Sequence, residues 1–176
     1  MSAPYPILIT RRLKVICLSR EQLEAYPHKP EQLQRELGIS LSRAVLTSIT
    51  WRAIAKKLKK MQMVSQTLHA WFTYWLIELK QESFGAGLVG FKGLPDEIGR
   101  VEIGYILDPA FHGQGYMTEA VRALIDWAFQ HDFCKAVIAP NTLKSNPASN
   151  RVLEKAGMSV YAQDKTSLSW RIDKLH

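Results

Sequence analysis

Residues 101–130 read VEIGYILDPAFHGQGYMTEAVRALIDWAFQ, and this stretch decides the fold. Arg100 to Leu107 has the apolar content of a strand, and Asp108-Pro109 ends it, because a proline forces its predecessor out of helical geometry. His112-Gly113-Gln114-Gly115-Tyr116-Met117 then leads into a helix expected from about Gly115 to His131. Its apolar face is Ala120, Val121, Leu124, Ile125 and Ala128. Two glycines at the mouth of a helix let backbone N–H groups approach a ligand, and the helix start adds the positive end of its dipole. Strand, glycine loop and helix together form an anion cradle, suited to the pyrophosphate of a nucleotide-bearing cofactor.

Working outward, Lys135–Ala139 reads as a short buried strand. It follows a crossover helix, so it is expected to run parallel to 100–107. Asn146–Ala156 reads as a helix closed by Gly157, and 158–163 and 165–172 as a final hairpin. Upstream, residues 7–18 read as one strand. Ser19 and Gln22 form a capping box for a helix running to about Tyr26. Pro27 and Pro30 interrupt it, and 31–37 resumes up to Gly38. The longest helical pattern is 42–64, with Leu46, Ile49, Ala53, Leu58 and Met61 on one face. Residues 70–79 and 84–92 form a hairpin, the second strand bent by its three glycines. The expected fold class is α/β (α+β): one domain over residues 1–176, antiparallel at its ends, with a βαβ unit in the middle.

Composition narrows the function classes. Of 176 residues, 47% are apolar and 22% charged, which suits a globular chain with a real core. The sequence has no signal-peptide pattern and no apolar run long enough to span a membrane. Cys17 and Cys134 make neither a disulfide framework nor a metal site, so no metal is expected and a reducing cytoplasm is the default. The formal net charge of +7 lies wholly in residues 1–65, which hold 12 Lys or Arg against 4 Asp or Glu. Arg43, Arg52, Lys56, Lys57, Lys59 and Lys60 contribute half of those bases. Such a run is a solvated helix face, or a surface that attracts an acidic acceptor or lies near nucleic acid. Nothing in it reads bases directly. The hairpin edges and C-terminal strand can pair between subunits, so a homodimer is one expectation.

The glycine loop alone admits several nucleotide motifs. A dinucleotide fingerprint needs G-x-G-x-x-G, but position 118 is Thr, and Pro140-Asn141 stand where an acidic residue should end the next strand. No Walker G-x-x-x-x-G-K-[ST] occurs. A second segment, Asn146-Pro147-Ala148-Ser149-Asn150-Arg151-Val152-Leu153-Glu154-Lys155-Ala156-Gly157-Met158, places Asn146 and Ser149 on one side of a helix start, where both can hydrogen-bond one ligand.

Taken together, the segments resemble the acetyl-CoA-binding motifs of the GNAT (general N-acetyltransferase) superfamily, and within it the ribosomal-protein N-acetyltransferase-like (RimJ/RimL-type) branch. That branch shows E-I-G-Y-x-L-x-P, here Glu102 to Pro109; G-x-G-Y-x-T-E-A, here Gly113 to Ala120; and N-x-x-S-x-x-V-L-E-K-x-G-[FM], here Asn146 to Met158. Thr10-Arg11-Arg12-Leu13 is similar to its T-x-R-L opening. His112 and Met117 depart from the superfamily loop R/Q-x-x-G-x-G/A; the bulk of Met117 bears on the width of the cradle.

The resemblance implies a GNAT-like mixed, mostly antiparallel twisted sheet with a central βαβ unit and helices on both faces. It implies direct acetyl transfer from acetyl-CoA, a co-substrate, to a primary amine. The acceptor is a protein N-terminal α-amino group, a ribosomal protein's by branch; the alternatives are a small-molecule amine or a non-catalytic acyl-CoA-binding module. The cofactor would use Ile106 or Leu107 through backbone N–H groups, and His112, Gly113, Gln114, Gly115, Tyr116, Met117 and Thr118 around its pyrophosphate. Asn146 would bond its pantetheine or the strand opposite, and Ser149 its thiolate end. Glu102 is the candidate general base, against the plainer role of a solvated strand carboxylate. Ser149 is the candidate acid toward the leaving thiolate, against a first-turn serine, with Tyr161 as its rival. Asn146 is equally an ordinary N-cap. Glu119 reads as structural, Lys155 as a solvated helix lysine ahead of a contact to the cofactor's phosphates, and Cys134 as a buried small hydrophobe. His28, His69, His131 and His176 show no partner pattern. Trp51, lying off the apolar stripe, is the aromatic expected to touch the acceptor.

Overall fold

The computed structural model describes residues 5–175; His176 lies outside them. One sheet runs in the order β1-β2-β4-β5-β6-β7-β9-β8, with β3 beside β5. Its strands are β1 Ile7–Ile9, β2 Leu13–Cys17, β3 Ser40–Leu41, β4 Trp75–Leu79, β5 Phe84–Phe91, β6 Arg100–Leu107, β7 Ala136–Leu143, β8 Ser159–Gln163 and β9 Ser167–Asp173. The helices are α1 Arg20–His28, α2 Pro30–Leu37, α3 Ser48–Met61, α4 His69–Phe72, α5 Tyr116–Phe129 and α6 Pro147–Lys155. All ladders on the main path are antiparallel except β6 with β7; the short β3–β5 contact is also parallel. The mixed α/β class, the central βαβ unit and helices on both faces are as the sequence implies.

Alternation in the strands makes two apolar layers. One face packs Val101, Ile103, Trp71, Trp75, Phe91 and Trp127 with the α5 stripe and with Leu153 of α6. The other packs Leu76 and Leu88 against Leu23, Tyr26 and Leu33 of α1 and α2, and Ile54 and Met61 of α3. The Ser19–Gln22 capping box forms as read. Gly38 and Gly157 lie past their helices at φ 70° and 94°, as helix-ending glycines do.

Four local readings change. Residues 7–18 are two strands, folded back at Thr10-Arg11-Arg12, where Thr10 N–H bonds the Leu13 carbonyl at 3.0 Å. Pro27 sits inside α1, which runs on to His28 rather than ending at Tyr26; the proline gives up one bond, to the Leu23 carbonyl, and Lys29 N–H closes the helix on the Ala25 carbonyl. Residues 70–72 close the short helix α4, and β4 starts only at Trp75. The 42–64 helix begins at Ser48, because the Thr47 side chain caps the Thr50 N–H.

The buried face of α3 also differs from the expected stripe. Of that stripe Met61 is buried and Leu46 and Leu58 pack against the core, whereas Ile49 is 71% exposed, and Thr50, Ile54 and Lys57 complete the buried face in place of Ile49 and Ala53. Lys57 is tolerated inside because its Nζ donates to the carbonyls of Phe91 (2.5 Å), Phe72 (3.3 Å) and Thr73 (3.4 Å) and lies 4.5 Å from the centre of the Tyr74 ring. Burial, aided by Lys60 and Lys92, pulls its pKa down to about 7. An unfolded lysine titrates near ~10.4. Between pH 7 and 10 the unfolded chain therefore holds a proton that the folded chain has released, and stability rises with pH across that window. The expected result is that wild type gains up to a few kcal/mol, roughly, over Lys57→Met between pH 7 and 10. Parallel thermal-unfolding curves for the two proteins across that range would show the term to be absent.

Candidate functional site

The site begins where β6 and β7 part. Their register runs Arg100↔Ala136, Val101↔Val137, Glu102↔Ile138 and goes no further. The cause is in β7: Pro140 has no N–H to continue the ladder, and Asn141 adopts φ 57°. The β7–β9 register shifts at the same place, between Ala139 and Thr142. On its other edge β6 stays bonded to β5, with Lys92 N–H on the Glu102 carbonyl at 3.0 Å and Asp108 N–H on the Ala86 carbonyl at 2.8 Å. Alternation between those two bonds turns the backbone of Glu102, Gly104 and Ile106 to β5, and that of Tyr105 and Leu107 into the gap. Of the two candidate backbone donors, the Leu107 N–H therefore faces the gap, while Ile106 contributes its side chain.

The gap opens into a cavity of about 750 Å³ between β6, the glycine loop and α6. Ile106, Leu107, His112, Gly113, Gly115, Tyr116, Met117, Thr118, Asn146 and Ser149 all line it. Ten of the sequence's candidates are thus brought to one place. Gln114 is not among the lining residues; its carbonyl accepts from Arg12 Nη1 at 2.8 Å. Neither is Glu102, which lies further back on β6, paired with Lys92 and facing the α3 side of the sheet with Gly104 and Ile106. A Cβ on Gly104 would meet no atom within 4 Å, so the space beside Glu102 is open.

The loop has the shape an anion needs. Gly113 and Gly115 hold φ 75° and 81°, and α5 begins at Gly115 with no side-chain cap. The first N–H groups of α5 are left for a ligand. Met117 does not crowd them: its side chain is only 5% exposed and belongs to the core beneath the loop. His112 Nε2 donates to the Leu107 carbonyl at 3.0 Å, tying the loop to the strand end. From behind, Glu119 accepts from Thr10 Oγ1 (2.6 Å), Arg12 N–H (2.8 Å) and Arg12 Nε (2.7 Å), and the Arg12 guanidinium stacks 4.4 Å from the centre of the Tyr116 ring. These bonds outweigh partial burial and hold the Glu119 carboxyl below the usual range. The structural reading of Glu119 acquires a specific content here: it anchors the opening strand to the cradle.

At the other wall, Asn146 caps α6, accepting from Ser149 N–H at 3.1 Å. Tyr105 places its hydroxyl 2.8 Å from Ser149 Oγ and donates to the Ser149 carbonyl at 3.2 Å. Burial pushes the Tyr105 phenol up to about 12, so it stays protonated. Tyr105 was missed as a site residue, although its place in E-I-G-Y, one alternation from Leu107, puts it on the gap side. Tyr161, the rival acid, is 49% exposed on the edge strand β8 and is not among the cavity-lining residues. Arg151 and Lys155, a turn apart on α6, do line it, which puts the lysine at the cavity, where its less favoured reading as a phosphate contact would have it. Trp51 lies off the cavity, edge-on to His28 of α1 at 5.1 Å. Burial pushes the Cys134 thiol up to about 11, which leaves it inert. His69 and His131 do have partners: His69 bonds Tyr5 and the Met61 carbonyl, and His131 the Trp127 carbonyl. Among the described residues no group of three or more His, Cys, Asp or Glu is placed to hold a metal ion.

A parallel strand pair that splays over an uncapped helix start, in a sheet of this order, is the architecture expected of the N-acetyltransferase class of acyltransferases. The chain belongs to the GNAT acetyltransferase family, since a model of the acetyltransferase (GNAT) domain matches residues 41–159. It is 29% identical over 151 residues to the uncharacterized N-acetyltransferase YjdG of Bacillus subtilis (strain 168), covering 86% of this chain and 88% of that protein. Solved structures share the fold. One is the acetyltransferase of Salmonella typhimurium that modifies the N-terminal serine of 50S ribosomal subunit protein L7/L12 (TM-score 0.65, 17% identity, 96% of this chain and 99% of that one). Another is the microcin C7 self-immunity acetyltransferase MccE in complex with acetyl-CoA and AMP (TM-score 0.61, 17% identity, 93% of each chain).

Proposed function

We propose that residues 1–176 form a single acetyl-CoA-dependent N-acetyltransferase domain that acetylates the N-terminal α-amino group of a polypeptide. The observation that carries this is the gap beyond Glu102↔Ile138, with an uncapped helix start at one wall, paired hydroxyls at the other and open space over Gly104. The residues present fit acetyl-CoA. The N–H groups from Gly113 to Thr118 suit a pyrophosphate, Arg151 and Lys155 add positive charge, and the gap-facing backbone of Tyr105 and Leu107 can pair with an extended pantetheine arm as with an added strand.

Bound acetyl-CoA would supply an activated acetyl thioester. Glu102 would take the proton of the attacking ammonium, directly or through water. The Leu107 N–H would hold the acetyl oxygen as it gains charge. When Tyr105 turns its one proton from the Ser149 carbonyl to Ser149 Oγ, the Ser149 proton is free to reach the departing sulfur. Two free buried cysteines suit the reducing cytoplasm in which such acceptors are made. The open floor at Gly104 favours an extended acceptor over a small enclosed amine.

Calorimetry with CoA and a survey of free-N-terminal peptides against small amines test this reading. Turnover of small amines with none on peptides would overturn the acceptor assignment, and no CoA binding at millimolar concentration would overturn the enzyme. For the proton donor, Ser149→Ala is expected to lower kcat by about 10- to 100-fold, at or below the low end of the usual range for acid catalysis because a thiolate leaves readily. Tyr105→Phe is expected to cost about 5-fold, one hydrogen bond. If the hydroxyls act as one unit, the double variant is no slower than Ser149→Ala. Simple multiplication of the two effects would separate their roles.

A further inference from the structure

The basic face of α3 is not a uniformly solvated surface; part of it overlooks the floor beside Glu102. Two contacts fix the helix's orientation. Trp51 packs on His28, so that side faces α1. Lys60 Nζ donates to the Lys92 carbonyl at 3.0 Å, so the opposite side faces β5 and β6. Ile49, Ala53, Lys56 and Lys60 follow one another at helical spacing along this second side. Thr47, at the N-terminal end, lines the cavity with Ile106 and Leu107. The helix thus runs along the floor from the acetyl-transfer end to Lys92, and the open space at Gly104 lies on the same face of the sheet.

The charge along this wall is largely unopposed. α3 has no acidic residue in its sequence SITWRAIAKKLKKM. Lys56 and Lys60 are exposed, Lys92 is 62% exposed, and the described counter-ion of Lys92 is Glu102. Lys57, buried beneath them, feels Lys60 and Lys92 as like charges. Ammonium groups gathered this closely repel one another, so an anion placed among them is attracted in proportion.

Resting on the reading of the site as an N-terminal acetyltransferase, we infer that Lys56, Lys60 and Lys92 form an acceptor subsite selecting polypeptides with Asp or Glu shortly after the N-terminal residue. Lys56 and Lys60 stand about 6 Å apart along the helix, and an extended chain advances about 3.3 Å per residue. A peptide whose amine lies over Gly104 and whose chain runs toward Lys92 sets its second to fourth side chains against the lysines.

The test compares pentapeptides with free N-termini that differ only at positions two to four: Asp/Glu, Asn/Gln or Lys. The expected kcat/KM order is acidic over neutral by at least tenfold, with basic lowest, the gap shrinking severalfold between 20 and 300 mM salt, roughly as Debye screening requires. The double variant Lys56→Glu/Lys60→Glu should invert the order while the dissociation constant for CoA stays as in wild type. The milder Lys56→Gln/Lys60→Gln should flatten it. Binding of a labelled acidic pentapeptide, read by anisotropy with CoA present, should follow the same order without any turnover. Equal kcat/KM for acidic and neutral peptides, with CoA bound and both acetylated, overturns the subsite and leaves the enzyme reading intact. Absence of CoA binding overturns both. Displacement of the acidic peptide by an oligouridylate at concentrations below the peptide's own KM assigns the patch to RNA and overturns the peptide subsite.

Discussion

Glu102→Gln is expected to lower kcat/KM for the amine acceptor at pH 7 by about 10²- to 10⁴-fold, the range over which positioned general bases act. The substitution keeps the side chain's shape and removes only its ability to take a proton. CoA binding should not change, because Glu102 is not among the residues lining the cavity. Stability should hold to within about 1 kcal/mol, since the Lys92 partner of the ion pair it breaks is 62% exposed and regains water. The pH profile carries the sharper signature. An α-amino group loses its own proton near pH ~8, so the variant's deficit should shrink as pH rises past that value and solvent does the work of the base. A variant that keeps more than half the wild-type rate at both pH 7 and pH 9 would show that Glu102 only solubilises its strand.

Gly115→Val is expected to weaken CoA binding by more than about 100-fold and to carry kcat/KM down with it. Gly115 holds φ 81°, a conformation that costs an L-residue about 1–2 kcal/mol, and more for a β-branched one. The new Cβ would also lie 3.3 Å from Arg12 Nη2, the group that clamps the loop from behind. Strain and displacement then act on the same N–H groups that the pyrophosphate needs. Gly113→Ala should be milder: its φ of 75° is strained, but no atom lies within 4 Å of the added carbon. Calorimetric titration of CoA separates the two variants, and a dissociation constant for Gly115→Val within threefold of wild type would mean that the cradle does not bind the phosphates.

The legible part of this protein lies in segments whose signals are local. The β6–loop–α5 unit, the Ser19–Gln22 capping box, the Asn146 cap and the glycines that end helices all form as read, because each depends on residues within one or two turns of one another. The α3 stripe was misread for a definable reason. In its first half two rows, 46-49-53 and 50-54-57, repeat at helical spacing on neighbouring sides, and the apolar count favours the first; Met61, expected inside, is buried with the second. The second is buried because Thr50 is tied to Thr47 and Lys57 finds three carbonyls, from Phe72, Thr73 and Phe91, 15 to 34 positions away. Trp51 was assigned to the acceptor on the strength of that stripe and turned instead to His28.

The sequence by itself determined the family, the cradle and ten of the residues that surround one cavity, since ordered motifs encode backbone shape directly. Tertiary structure decided what the motifs cannot carry: that Leu107 rather than Ile106 turns its amide into the gap, that Tyr105 meets Ser149, that Arg12 and Glu119 brace the loop across 107 positions, and that Lys60 and Lys92 flank the floor beside Glu102. Each of these depends on strand register and on the parting of β6 from β7. Register is set by pairings between distant segments, and a shift of one residue would turn every side chain and every amide in the strand to the opposite side.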